Sequence, residues 1–247
     1  MPRYFLEVKY KGTGYSGFQI QKNAISIQSV VEHALALVLR SPITLTGSSR
    51  TDAGVHALQN YFHFDVPQEI SDRAIYSFNS ILPKDIAIIS IRQVSDIAHA
   101  RFDALSRSYV YHLHHCKNPF VEDRSWYYPY PLDISILNAA ALIIKNTKDF
   151  TSFSKRNAQV KTYICSVEWS RWEQTDLGYT YHVKANRFLR GMVRGLVGTM
   201  LLVGKGKISI ETFNDIIASH DVTQADFSTP GHGLFLEAVE YPIGQFL

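Results

Sequence analysis

Ser49-Arg50-Thr51-Asp52-Ala53-Gly54-Val55-His56-Ala57 is the stretch on which the reading turns. It places one carboxylate, Asp52, directly after a cation and a hydroxyl, in a loop that Gly54 allows to bend sharply. A charged aspartate among apolar neighbours is costly to bury and persists where a partner holds it ionised. A carboxylate held ionised in a cleft is a candidate nucleophile or base. The competing reading is an Asx-turn aspartate that caps its own backbone, which the local residues alone favour.

The flanks of this loop read as strands. Ile43 to Thr46 leads in, and Leu58, Asn60, Phe62, Phe64 and Val66 alternate after it. Upstream, residues 4–10 alternate, Gly12-Thr13-Gly14 turns the chain, and Ile27 to Leu39 has helical spacing with Ser26 as N-cap. A helix is expected after Ser71 and a strand from Ile86 to Val94. Residues 95–106 bridge to a second half, in which Arg107 to His115 alternates strongly. A helix is expected over Ile134 to Lys145. Strands are expected at Val160 to Trp172, Tyr179 to Ala185 and Leu234 to Tyr241, and helices at Phe188 to Leu202 and Ile210 to Ala218. Strands in neighbouring runs with helices between them indicate an α+β fold with antiparallel pairing. Loose recurrence of the strand-helix order gives two similar lobes, 1–105 and 106–247, with a cleft between them.

The chain has 247 residues, of which 46% are hydrophobic, enough for a sizeable core. Its 25 Lys and Arg against 22 Asp and Glu leave a net charge of +3, too mild by itself to mark a nucleic-acid binder. Cys116 and Cys165 fit no metal spacing and agree with a reducing compartment. The amino terminus reads as a charged strand and not as an apolar leader. The most apolar stretch, Met192 to Gly204, is interrupted by Arg194 and falls short of the ~20 residues of a membrane span. A cytoplasmic protein without a membrane partner is expected.

Other clusters carry possible chemistry. On one continuous helix, Arg187, Arg190 and Arg194 fall on one face, either a solvated basic stripe or a cation row aimed at phosphates or a carboxylate. Arg194, among Val193, Leu196 and Val197, needs an anionic partner. Such a partner would also lower an aspartate's pKa. In Arg107-Ser108-Tyr109-Val110-Tyr111, alternation puts both tyrosines on one face, where one could stack on a base and hold a proton. His112 and His114 invite a metal reading, but bland strand residues outweigh it. His99-Ala100-Arg101-Phe102 and Phe153 to Lys161, which includes Lys155, Arg156, Asn157 and Gln159, mix cations, aromatics and amides as looped RNA would require.

Taken together these segments resemble the tRNA pseudouridine synthase A family. The Asp52 stretch is similar to its catalytic loop. Tyr10 to Gln21, Leu82-Pro83-Lys84-Asp85-Ile86, His99 to Phe102, Asp149 to Phe153 and Gly233 to Leu236 match in order along nearly the whole chain. The resemblance implies the pseudouridine synthase fold, with a basic cleft between two lobes. It implies isomerisation of uridine to pseudouridine at positions 38, 39 and 40 of the tRNA anticodon arm, by a homodimer, without cofactor or metal. It makes Asp52 the nucleophile, Arg194 its paired guanidinium and Tyr109 the ring packed on the target uracil. Leu234 or Leu236 would line the base pocket, and Arg50 would enter the helix to help extrude the base. His99, Arg101, Phe102, Lys155, Arg156, Asn157, Gln159, Lys161, Arg187 and Arg190 fall in segments expected to meet RNA. Ser49 and Lys161 depart from the family's usual glycine and arginine, and serine is strained if its position needs a positive φ. A catalytically silent tRNA-binding protein is the runner-up. A metal-dependent hydrolase built on His112, His114 and Asp52 is the third possibility.

Overall fold

The computed structural model describes residues 1–71, 73–156 and 160–246. Along the chain the elements are β1 (Arg3–Tyr10), α1 (Ile27–Leu39), β2 (Thr46–Gly47), β3 (His56–Asp65), α2 (Arg73–Ile81), β4 (Ile86–Val94), β5 (Ser106–His114) and β6 (Trp126–Tyr127). They continue with α3 (Ile134–Asn146), β7 (Val167–Gln174), β8 (Gly178–Ala185), α4 (Met192–Gly204), α5 (Ile210–Ala218) and β9 (Leu234–Glu240). The fold is α+β with mainly antiparallel pairing. Among the described residues no helix is long and apolar enough to cross a membrane.

The chain divides into two compact units, residues 1–105 with 235–247, and residues 106–234. The segment 235–247, expected with the carboxy-terminal lobe, groups with the first unit because β9 pairs in parallel with β3, Phe235 opposite His56 and Leu236 opposite Ala57. Beyond the strand, the Tyr241 hydroxyl donates to the Ala100 carbonyl.

In the first unit the strand order is β4-β1-β3-β9, with β2 on β3. Phe5, Leu6, Val8, Phe62, Phe64 and Phe78 are buried in its core. The start of α1 is written locally, since the Ser26 side chain accepts from the Ser29 N–H while Ser29 returns a bond to the Ser26 backbone. The strand expected from Ile43 shrinks to Thr46–Gly47. Side chains of α1 take the hydrogen-bonding groups of Leu45: Glu32 accepts its N–H at 2.8 Å and Gln28 donates to its carbonyl at 2.9 Å.

The second unit has the order β5-β8-β7, with β6 on β5, and α3 packs on β7. Helix α4 is buried nearly all round, which accounts for the apolar run in the sequence. Two expectations are corrected here. The strand expected from Val160 begins at Val167, because Tyr163 and Cys165 bond instead to the backbone of Phe150 and Lys148. The helix expected from Phe188 begins at Met192. Gly191 sits at φ +73° just ahead of it, a left-handed conformation that a helix cannot contain.

Candidate active site

The Asp52 loop is fixed from several sides. The turn is closed by the Val55 N–H donating to the Asp52 carbonyl at 3.2 Å, with Gly54 at φ +76° in the position that favours glycine. Thr51 is held twice, by the Phe18 N–H on its carbonyl at 3.0 Å and by Tyr10 at its hydroxyl, 2.9 Å away. Asn60, fully buried, donates from its amide to the Ser49 carbonyl and to the Tyr10 hydroxyl, each at 3.1 Å. Behind the loop, His56 Nδ1 accepts the Gly12 N–H at 3.1 Å, and its ring stacks on Phe235. Asp52 itself is half-buried on this frame. Ser49 is not among the residues with positive φ, so serine there carries no left-handed strain.

Two glycines without chemistry of their own make the frame possible. A Cβ on Gly12 would lie 2.0 Å from the Val55 carbonyl oxygen, and one on Gly17 3.0 Å from that of Thr51. The chain therefore passes over the loop as bare backbone. Gly12→Ala is expected to cost at least about 1–3 kcal/mol of stability through overpacking. Urea denaturation of the variant beside the wild type checks this.

The bridge segment contributes Arg101 and Phe102 on a turn organised by two histidines. His99 Nδ1 accepts the N–H groups of Arg101 at 3.1 Å and Phe102 at 3.3 Å, and His63 Nδ1 accepts that of Ala100 at 3.1 Å. Acceptance at Nδ1 requires a lone pair there, so these bonds favour the neutral rings. Burial is the chief cause that lowers His63 to about 4, helped by the charges of Arg3 and His99 and opposed by Asp65 and Asp103. Burial also lowers His99, again against Asp103. The unfolded chain therefore binds more protons than the native one between about pH 4 and His63's ordinary 6.5. Stability should fall as pH drops through that window. Urea midpoints across it should decline for the wild type and less steeply for His63→Gln.

In the second unit, alternation places Tyr109 and Tyr111 together but their surroundings separate them. Tyr111 is fully buried and donates to the Pro230 carbonyl at 2.8 Å. Burial pushes its phenol far up against the opposing Arg194 charge, so it is a structural donor. Tyr109 is half-buried, edge-on to Phe188 with ring centres 4.9 Å apart.

Arg194 lies in the first turn of α4, where a cation faces the positive end of the helix dipole. The position therefore does not serve the helix. Its Nε donates to the Thr229 carbonyl at 2.6 Å, while the Thr229 hydroxyl donates to the Arg194 carbonyl at 2.8 Å. That reciprocal pair fixes the guanidinium. Thr229, Asn60 and His63 belong to the support of these groups, and the sequence reading did not single out those roles.

Because α4 begins after Gly191, the expected face of Arg187, Arg190 and Arg194 does not form on one helix. Arg187 and Arg190 precede the helix. The structure instead joins Arg190 to Lys155, whose N–H donates to the Arg190 carbonyl at 2.9 Å and whose stem lies over Gly191. Arg187 is half-buried near Cys165, whose thiol is pushed up to about 11 by burial. Arg156, Lys161 and Arg190 are exposed, whereas Asn157 and Gln159 lie outside the described residues. Arg50 is exposed beside the Asp52 loop. Leu234 is 6% exposed and Leu236 fully buried. His112 and His114 are each within 3.1 Å of a hydroxyl, of Thr180 and Ser125 respectively. No group of three or more potential metal ligands gathers among the described residues.

Comparison with known proteins defines the class. A family model described as tRNA pseudouridine synthase matches residues 146–242. The relatives that the chain matches include several that carry the name tRNA pseudouridine synthase A. That of Porphyromonas gingivalis is 44% identical, with both chains covered completely. That of Parabacteroides distasonis is 42% identical over 98% of this chain and 97% of its own. That of a Thermoanaerobacter species is 35% identical over 98% of this chain and all of its own. The chain belongs to the tRNA pseudouridine synthase A family.

Proposed function

We propose that this chain converts uridine to pseudouridine at positions 38, 39 and 40 in the anticodon arm of tRNAs, through the Asp52 carboxylate and without a cofactor. The observation that carries the reading is family membership along nearly the whole chain, with the loop that bears Asp52 held rigid. Rigid presentation is what a group acting on a reacting centre needs.

In the reaction the bond from ribose C1′ to N1 breaks, the base rotates, and C1′ joins C5. The C5 proton leaves to solvent and N1 gains one, so nothing is oxidised or reduced. Asp52 either adds to the ring or sugar and departs again, or takes a sugar proton on a glycal-like path. Arg194 is the guanidinium paired with the carboxylate, Tyr109 packs on the uracil, and Leu234 or Leu236 lines the base pocket. The substrate is the anticodon arm of tRNA, and the working unit is a cytoplasmic homodimer.

A stacked base must be flipped out, at a cost of a few kcal/mol. Phosphate contacts from Arg101, Lys155, Arg156, Lys161, Arg187 and Arg190 offset that cost, with counterion release as the driving term. Arg50 occupies the space that the base leaves. Action at three neighbouring sites implies recognition of RNA shape over sequence.

The test is release of tritium from tRNA labelled at uridine C5. Isomerisation replaces that hydrogen by carbon, so label should appear in water. A catalytically silent tRNA-binding protein would release none. Tyr109→Phe should keep its affinity for tRNA and lose about a hundredfold or more in rate, as expected when a positioned proton-holding group is removed. Single-turnover rates beside filter-binding affinities check this.

A further inference from the structure

Within the first unit, the segment that follows β9 is bonded at three points to the turn that carries Arg101 and Phe102. The Leu105 N–H donates to the Glu240 carbonyl at 2.8 Å, and the Tyr241 hydroxyl donates to the Ala100 carbonyl. The Gln245 side-chain amide donates to Asp103 Oδ2 at 3.2 Å, across 142 positions of sequence. Asp103 is the hub of the turn. The same oxygen accepts the His99 N–H at 2.7 Å, and the Asp103 N–H donates to the His99 carbonyl at 3.0 Å. We infer that residues 241–246 form a strap that holds this turn in place for RNA, with Gln245 and Phe246 as positioning residues for the reaction. The inference rests on the tRNA-modifying reading above and adds to it two side chains that act through the turn.

The strap is shaped by its own sequence. The Gln245 N–H donates to the Pro242 carbonyl at 3.1 Å, and Gly244, third residue of that turn, sits at φ +88°. A turn with positive φ at its third position favours glycine there. The chain is thereby turned back, so that Gln245 meets Asp103 and Phe246 meets the sheet. Ile243, at the tip, is fully exposed, so the grip lies in the residues on either side of it. The Phe246 ring centre lies 6.1 Å from that of Phe5, 6.0 Å from that of Tyr61 and 6.1 Å from that of Tyr241. The Arg92 guanidinium carbon lies 5.2 Å from it. Phe246 therefore stands on β1, β3 and β4, and β3 begins directly after the Asp52 loop.

A turn of this kind needs support from behind. Phe102 is 74% exposed, so burial of its ring does little to fix the backbone that carries it. Every side chain that binding must immobilise lowers affinity, and a turn ordered in advance avoids part of that loss. Phe246 alone would suffice to pack the strap on the sheet. The Gln245 amide adds nothing to that packing, yet it is bonded to the carboxylate that organises the turn. That bond separates positioning from packing.

The test measures tRNA affinity by filter binding, and single-turnover tritium release, on the full-length protein. Gln245→Leu removes the amide and keeps the bulk; Phe246→Ala removes the footing. Each should weaken tRNA binding by about tenfold, the scale of ordering two side chains at the moment of binding. The rate at saturating protein should stay at the wild-type value, while the protein concentration that gives half of it rises with the loss of affinity. In protein that already carries Arg101→Ala and Phe102→Ala, Gln245→Leu should change affinity by less than about twofold, because the side chains it positions are gone. A strap that serves stability alone would lower the urea midpoint and give the same loss of affinity in both backgrounds. That additivity overturns the inference, as does wild-type affinity in Gln245→Leu and Phe246→Ala. A wild type that releases no tritium counts against the enzymatic reading. Normal release with unchanged affinity in both variants counts against the strap alone.

Discussion

Asp52→Ala is expected to abolish pseudouridine formation, with a rate loss of at least about ten-thousand-fold, the scale seen when a catalytic group is removed from a working site. Affinity for tRNA should stay near that of the wild type. Binding in this account comes from cations and aromatics spread along both units, and Asp52 is not one of them. The loop should keep its shape, because it is held by Thr51, Asn60, Ser49 and the Gly12–His56 bond and not by the Asp52 carboxylate alone. Single-turnover assays on the folded variant, beside filter binding, separate chemistry from association. Retained turnover would remove Asp52 from the mechanism.

Arg194→Ala carries the second large effect. Taking one preorganised charge from a reacting site costs about a hundred- to a thousandfold in rate. Arg194→Lys should recover little of it. An ammonium keeps the charge but lacks the fork geometry, and it loses the Nε bond to the Thr229 carbonyl. RNA affinity should fall far less than rate. Equal losses in both would make Arg194 an ordinary phosphate contact.

The parts legible in the sequence are those decided by neighbours in the chain. The Ser26 cap starts α1 because its partner, Ser29, is three residues away. Ser209 caps α5 in the same way through the Thr212 N–H. Strands β1 and β4 follow their alternation to within a residue. The parts that escape are settled by distant segments. The start of α4 is displaced at Gly191, where the Lys155 stem crosses, thirty-six positions earlier in the chain. Tyr163 and Cys165 lie in a stretch that looks like strand but spend backbone bonds on Phe150 and Lys148. The short β2 is limited by side chains from α1.

The candidate site divides along the same line. Asp52, Tyr109 and Arg194 carry charge or a phenol, so their residue types advertise chemistry, and the family resemblance supplies their roles. Gly12 and Gly17 carry no functional group; the close approach of two backbones explains both, and at Gly17 a φ of +93° adds to it. Tyr109 and Tyr111 share a strand parity that cannot tell them apart. What separates them is the Pro230 carbonyl, which engages Tyr111 from far along the chain. His99 looks like a group for RNA, yet its Nδ1 is spent on the turn that presents Arg101 and Phe102.

The central claim is that this protein isomerises uridines of the anticodon arm in place. Carbodiimide modification followed by primer extension, on unmodified tRNA incubated with the purified protein, reads that directly. The account predicts new reverse-transcription stops that mark positions 38, 39 or 40 where uridine stands there. A tRNA with no new stop, or with stops only outside the anticodon arm, would contradict it.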